Sequence, residues 1–440
     1  MTVDVLVVGG GLTGISTALH LGRPFVLAER EAELGGLART AHREGFSFDA
    51  TGHWLHLRDP AMMALARGVM GDDLASVKRH ARIYTSGALT PYPFQANLHG
   101  LPPKVAYECL LGFVRSQLDK CRQQEHEPRN FEQYILHHFG EGIARHFMIP
   151  YNTKLWGVHP REITSAWCKR LVPIPTLEQV VAGSVGTPSP ELGYNVSFLY
   201  PRLGGIGAFS AALAGQLDPA AIRLGVELES VDPVRRVAMV AGEPVSYRAL
   251  VSTIPLPELV RRLVDPPAEV LAAARQLRWT AVRYLNVACR TAPPEPFHWV
   301  YVPEHRLPFY RVGVFSSAVP SMAPPGASSL YVELASRDRS KSEAETVAEA
   351  IPALVEVRAL RSPEDVVFAE LHEIEYAYVV FDESYEQALG EILPYLESHR
   401  IFSRGRYGSW VYNAMEDSLI AGKEVAVEID RLLSSPERDD

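Results

Sequence analysis

Val3-Asp4-Val5-Leu6-Val7-Val8-Gly9-Gly10-Gly11-Leu12-Thr13-Gly14 opens the pattern that decides the fold. An apolar run passes straight into a glycine turn. Apolar residues then recur at helical spacing (Ile15, Ala18, Leu19, Leu21), and a second apolar run, Pro24 to Ala28, ends at Glu29, twenty residues past Gly9. The order is strand, turn, helix, strand, acid. Gly9 permits the tight turn, Gly11 lets a pyrophosphate approach the main chain, and Gly14 lets helix and strand pack closely. Unpaired N–H groups at the helix start, among them those of Leu12 and Thr13, attract phosphate oxygens, and Glu29 can accept from ribose hydroxyls. A GxGxxG string alone is weak; in this context it predicts a Rossmann-like dinucleotide-binding unit.

Outward from Glu29 runs Arg30-Glu31-Ala32-Glu33-Leu34-Gly35-Gly36-Leu37-Ala38-Arg39-Thr40. An acid, a short spacer, Leu-Gly-Gly and Arg-Thr resemble FAD proteins of the glutathione-reductase and amine-oxidase type. The resemblance implies FAD as cofactor, with Arg30 beside the acid and Gly36 and Leu37 near the ribityl–pyrophosphate region. It also implies that Val226 lies near the adenine, in a strand covering Ala221 to Val231, and that Ala249 to Ile254 rejoins the nucleotide sheet.

The composition is that of an ordinary globular chain of 440 residues, 47% hydrophobic and 22% charged. Its 43 basic and 52 acidic residues give a net charge of −9, with no basic stripe that would suit nucleic acid. An anionic ligand would have to be held by a few placed arginines. Cys109, Cys121, Cys168 and Cys289 form no CxxC pair, and no His/Cys cluster has metal-ligand spacing. The apolar run at 3–8 is short for a secretory leader and no apolar run reaches membrane-spanning length, so a cytoplasmic protein without a membrane span is expected.

The fold class expected is α/β: a glutathione-reductase-type FAD-binding domain assembled from 1–95, 200–265 and 400–433, a helical insertion over 96–199, an antiparallel-sheet substrate domain over 270–395, and a flexible tail at 434–440. Leu101–Asp119 and Phe131–Phe147 read as helices, the latter from Phe131, Tyr134, Ile135 and Phe139. Strand patterns at Val282–Cys289, Trp299–Val302, Phe309–Phe315 and Leu330–Leu334, with Pro-rich turns between them, make the second sheet.

Five further segments narrow the FAD group: Gly52-His53-Trp54-Leu55-His56; Tyr151-Asn152-Thr153-Lys154-Leu155-Trp156-Gly157; Pro308-Phe309-Tyr310-Arg311; Tyr376-Ala377-Tyr378; and Gly405-Arg406-Tyr407-Gly408-Ser409-Trp410-Val411-Tyr412-Asn413-Ala414-Met415. Their order and spacing resemble the UDP-galactopyranose mutases, which contract a sugar ring from pyranose to furanose. The resemblance implies a nucleotide-diphosphate sugar as substrate, an electron donor that reduces the FAD, and attack of reduced-flavin N5 on the anomeric carbon. It gives Arg311, His53 and His56 catalytic roles beside flavin and diphosphate. Arg170, Tyr151, Trp156, Tyr378, Trp410 and Tyr412 become substrate contacts, and Gly405, Arg406 and Met415 join the cofactor set. Arginine forks match phosphate oxygens, and phenols donate to them while their rings pack. Ordinary alternatives stand beside these roles: a structural ion pair for Arg311, a surface charge for Arg170, core packing for the aromatic residues. An oligomer is possible.

Three positions depart from the mutase pattern: Trp410 and Phe381 stand where tyrosine is usual, and Ala414 where aspartate is usual. Tyr200-Pro201-Arg202-Leu203-Gly204-Gly205 and Thr90-Pro91-Tyr92-Pro93-Phe94-Gln95 look more like protoporphyrinogen oxidase relatives. An FAD-dependent oxidase or desaturase of that kind is therefore the alternative function.

Overall fold

Residues 5–8 are apolar because the strand they form is covered on both faces: Val5, Leu6 and Val7 are fully buried. The computed structural model describes residues 1–122, 127–165, 172–187, 196–335 and 337–434. In it β1 (Thr2–Val8) runs parallel to β2 (Phe25–Glu29) on one side and to β12 (Glu243–Ser252) on the other, with Leu6 opposite both Val26 and Leu250. Strands buried on both faces read as unbroken apolar runs. The sheet continues through β9 (Ile222–Leu224) at one edge and β10 (Leu228–Asp232) and β11 (Val237–Val240) at the other. β18 (Ile401–Ser403) pairs with the C-terminal half of β12, so a late segment of chain re-enters the nucleotide sheet.

The second sheet has the order β17 (Val366–Val379), β13 (Trp279–Cys289), β16 (Ser328–Leu334), β15 (Phe309–Val314), β14 (Trp299–Tyr301), β6 (Ala81–Thr85), β7 (Ala88–Pro91). All its pairs are antiparallel except β14 with β6. The span 1–95 thus feeds both sheets, since β6 and β7 extend the second. Two antiparallel pairs, the hairpin of β3 (Thr40–Arg43) with β4 (Phe46–Asp49) and the long-range pair of β5 (Leu74–Lys78) with β8 (Ser197–Pro201), lie outside both.

α1 (Leu12–His20) follows the glycine turn and packs on the C-terminal helix Met415–Ser434, where Ser16 Oγ donates to the Leu419 carbonyl at 2.6 Å. α2 (Pro60–Met70) starts with Asp59 capping the N–H groups of Ala61 and Met62. The insertion holds α3 (Pro103–Arg122), α4 (Phe131–Ile143) and α5 (Ile149–Trp156), with a π-turn at Ala144–Met148 shortening the helix expected over 131–147. Among the described residues, no helix is long and apolar enough to cross a membrane.

The strand expected over Ala221–Val231 is not continuous: Gly225 takes a φ of +70°, breaking the run into β9 and β10, and Val226 sits in the loop between them. Its N–H donates to the Glu29 carbonyl at 2.9 Å, which still places it at the acid end of β2.

The glycine turn leaves no room for side chains. Gly9 adopts a φ of +96°, and a Cβ on Gly14 would lie 1.9 Å from the Gly9 carbonyl oxygen. Gly14→Ala is expected to cost about 1–3 kcal/mol of stability, because that atom is main chain and cannot swing away. Thermal melting and FAD content of the purified protein check this; an unchanged melting point with full FAD would contradict it.

Candidate active site

The dinucleotide cradle is built where two glycine turns meet. The Gly35 N–H donates to the Gly10 carbonyl at 2.8 Å, and a Cβ on Gly36 would stand 3.0 Å from the Gly11 Cα. A Cβ on Gly11 itself would meet nothing nearer than 3.9 Å, so the trough over Gly11 is open main chain. α1 begins at this trough with Gly11 as its N-cap and no side-chain cap, leaving its first N–H groups for an anion. Glu29 is buried at the end of β2, its two carboxylate oxygens accepting from Gly10 N–H at 2.6 Å and Glu31 N–H at 2.9 Å. A fixed acid and bare amides fit the ribose and pyrophosphate of FAD. Leu37 is partly buried, whereas Arg30 lies on the surface, paired with Glu31 at 3.3 Å. Gly405 abuts Thr13 of α1, and Met415 opens the C-terminal helix packed against the same core.

A second cluster forms on the other sheet. Arg311 on β15 and Glu333 on β16 are register partners, and the guanidinium meets the carboxylate through two bonds, Nε–Oε2 and Nη2–Oε1, each 2.5 Å. Glu333 is 1% exposed and the Arg311 side chain 21%. Burial opposes the Arg311 charge, but Glu333 together with Tyr378 and Tyr331 more than offsets it and holds the arginine well above its ordinary value. Three guanidinium N–H bonds remain unspent after this bidentate pair. Tyr301, opposite Arg311 on β14, and Tyr151 of α5 meet edge-on at 5.3 Å. Tyr331, opposite Gly313, packs its ring where a Cβ on that glycine would stand.

Arg406 approaches from the C-terminal segment. Its Nη1 donates to the Asn413 carbonyl at 2.5 Å and its Nη2 to that of Ala377 at 2.9 Å. The guanidinium lies over Tyr412, 4.8 Å from the ring centroid, and 5.6 Å from that of Tyr378. Those two rings stack at 5.9 Å, and Trp156 closes on both, at 5.5 Å from Tyr378 and 5.9 Å from Tyr412. Among the described residues, Arg406 has no carboxylate partner within ion-pair distance. Burial pushes the Tyr378 hydroxyl above its usual range, with Glu333 adding to the rise and the Arg311 and Arg406 charges opposing it. Both guanidiniums also act on His53. Burial and then these two charges push its ring down to about 4, and its buried Nδ1 has no hydrogen-bond partner among the described residues.

The structure thus gathers Arg311, Arg406, His53, Tyr151, Trp156, Tyr378 and Tyr412 into one wall. It sets two other candidates apart. His56 turns to the Ser197 carbonyl at 3.2 Å and to Phe198. Trp410 is fully buried behind the wall, 6.0 Å from both Trp279 and Tyr376, in a backbone of positive φ. Arg170 lies outside the described residues. Glu333, Tyr301 and Tyr331 were not anticipated. A lone acid inside the apolar run Leu330–Leu334 was the available signal for Glu333.

The family model described as flavin containing amine oxidoreductase matches residues 12–430. Among solved structures, the chain resembles a reduced UDP-galactopyranose mutase at 28% identity, over 98% of this chain and 96% of that one, with a TM-score of 0.91. It resembles a putative protoporphyrinogen oxidase from Exiguobacterium sp. 255-15 at 15% identity over 98% and 99%, TM-score 0.76. A putrescine oxidase matches at 16% identity over 98% and 99%, TM-score 0.67. The last two speak for the shared fold alone.

Burial holds His53, His138 and His298 each at about 4, whereas an unfolded imidazole titrates near 6.5. Between these values the unfolded chain binds more protons, so stability is lost as pH falls from about 6.5 toward 4. Buried Asp49, raised to about 7, acts in the opposite sense over an overlapping window, one carboxyl against three rings. The urea midpoint is expected to be lower at pH 5 than at pH 7.5, and His53→Gln should shrink that difference. Equal midpoints would contradict the assignment.

Proposed function

Starting from the fact that the chain belongs to the flavin-containing amine oxidoreductase family and binds FAD, we propose that it is a mutase interconverting pyranose and furanose forms of a nucleotide-diphosphate sugar. The 28% identical mutase, aligned over nearly the whole of both chains, supports this reading. The observation that carries it is the wall itself. Two partly buried arginines stand among phenols, Arg311 paired with Glu333 and Arg406 over Tyr412 and Tyr378, which suits a departing diphosphate and not an apolar amine.

The reaction breaks the bond from the anomeric carbon to the diphosphate, reopens and recloses the sugar through another hydroxyl, and re-forms that bond without net redox change. Bound FAD, in its reduced form, supplies a nucleophilic nitrogen, N5. The chain's own residues do the rest. Arg311, its plane fixed by Glu333, offers its unspent N–H bonds to diphosphate oxygens. Tyr378 and Tyr412 donate hydroxyls to the same group, and Trp156 backs their rings. Arg406, held by carbonyls, aromatic faces and the Tyr407 side chain, lends positive charge to the pocket with no carboxylate partner among the described residues. His53 stays neutral above about pH 4, so it can hydrogen-bond without adding charge. Tyr151 and Tyr301 wall the sugar side. The physiological electron donor and the cytoplasmic setting remain part of this proposal.

Dithionite-reduced holoenzyme incubated with UDP-galactose, or with GDP- or dTDP-hexoses, is expected to yield a product of identical mass and new retention, without oxygen uptake. Arg311→Ala should lower kcat/KM by about 10²–10³-fold, and Tyr378→Phe by about tenfold. No isomer from any of these sugars, with flavin bleaching and oxygen consumption on an amine or porphyrinogen substrate, would transfer the chain to the oxidase reading.

A further inference from the structure

Lys154, on α5, is 5% exposed. Its ammonium donates to four main-chain carbonyls: Val302 at 3.1 Å, Glu304 at 2.8 Å, Leu307 at 3.0 Å and Phe309 at 2.6 Å. These oxygens line the turn that joins β14, which carries Tyr301, to β15, which carries Arg311. Three N–H bonds shared among four acceptors leave nothing for a ligand, so the amine cannot act on substrate. The same residue is gripped from the other side. Arg337 donates Nη2 to the Lys154 and Leu155 carbonyls at 2.9 and 2.8 Å, just beyond β16 and its Glu333. α5 is therefore tied at one residue to the strands that bear both members of the Arg311–Glu333 pair.

We infer that Lys154 is a positioning residue: its caged ammonium sets the β14–β15 turn, and through it the placement of Tyr301 and Arg311 against Tyr151 for a nucleoside diphosphate. The substrate half of this inference rests on the mutase reading; the mechanical half does not. A buried carbonyl deprived of its donor must find water or move; of the four acceptors, Glu304 keeps a second donor in the Leu307 N–H at 3.2 Å, and the demand falls on Val302, Leu307 and Phe309. Displacement of a binding group by about 1 Å costs orders of magnitude in rate.

The test uses FAD-loaded enzyme with Lys154→Met and Lys154→Gln, and Thr153→Ala as a helix control, since the Thr153 hydroxyl bonds only within α5, to the Ile149 carbonyl. Amide hydrogen exchange over 299–314 is expected to rise about tenfold in the methionine variant, with exchange over 243–252 and FAD content unchanged. Its Kd for UDP should rise about tenfold, the glutamine variant falling between, and the control matching wild type. Exchange rising evenly across the molecule, or UDP affinity within about twofold of wild type, would overturn the inference. Wild-type enzyme that ignores UDP, GDP and dTDP alike would overturn the mutase reading instead, with the local exchange pattern still deciding the role of Lys154. If neither variant folds, wild type decides: UDP should slow exchange over 302–309, and unchanged exchange there would overturn the inference.

Discussion

The bidentate contact between Arg311 and Glu333 is the constraint around which the second half of the molecule is arranged. Taking a guanidinium and a carboxylate out of water is expensive, and such a pair is weak evidence for stability in itself. Its value here is directional. Two parallel bonds across neighbouring strands lock the guanidinium plane, and the unspent N–H bonds can then point only one way. Glycine at 313 makes room for the Tyr331 ring beside it, and Tyr301 and Tyr151 fill the next positions.

The positive charges nearby are treated differently. Arg406, Arg337 and Lys154 are satisfied by main-chain oxygens, and among the described residues none makes an ion pair with a carboxylate. Carbonyl oxygens meet the hydrogen-bonding demand of a buried cation without cancelling its charge. Burial lowers the Lys154 amine to about 7, so in a chain of net charge −9 it is Arg406 that keeps the wall locally positive, a setting suited to an anionic ligand. The nucleotide cradle works by the complementary device: bare amides at the start of α1 and one anchored acid.

The two halves meet through main-chain proximity. Gly405 lies against Thr13 at the start of α1, and the following residue is Arg406 of the wall. β18 delivers that segment by pairing with the end of β12, beside the glycine turn. A late segment so brings a cation of the second site to the edge of the first.

Much of this was legible in the chain. Consecutive apolar residues report a strand buried on both faces, and glycine at fixed offsets reports main-chain contact; both are local properties, so the β1–turn–α1–β2 unit could be read directly from residues 3–29. Local patterns could not tell that Gly225 breaks a strand, that β6 and β7 serve the second sheet, or that Trp410 stands behind the wall, because each depends on which distant segment lies alongside. The ion-pair alternative for Arg311 is what the strands bring about, and its partner could not be read locally, since Glu333 is 22 residues away in sequence and adjacent only through strand pairing. The amino-acid order alone determined the cofactor cradle, whose chemistry is carried by neighbouring residues. Only the tertiary structure decided the cationic wall, because strands and helices remote in the chain had to be brought together before its charges and phenols could share one surface.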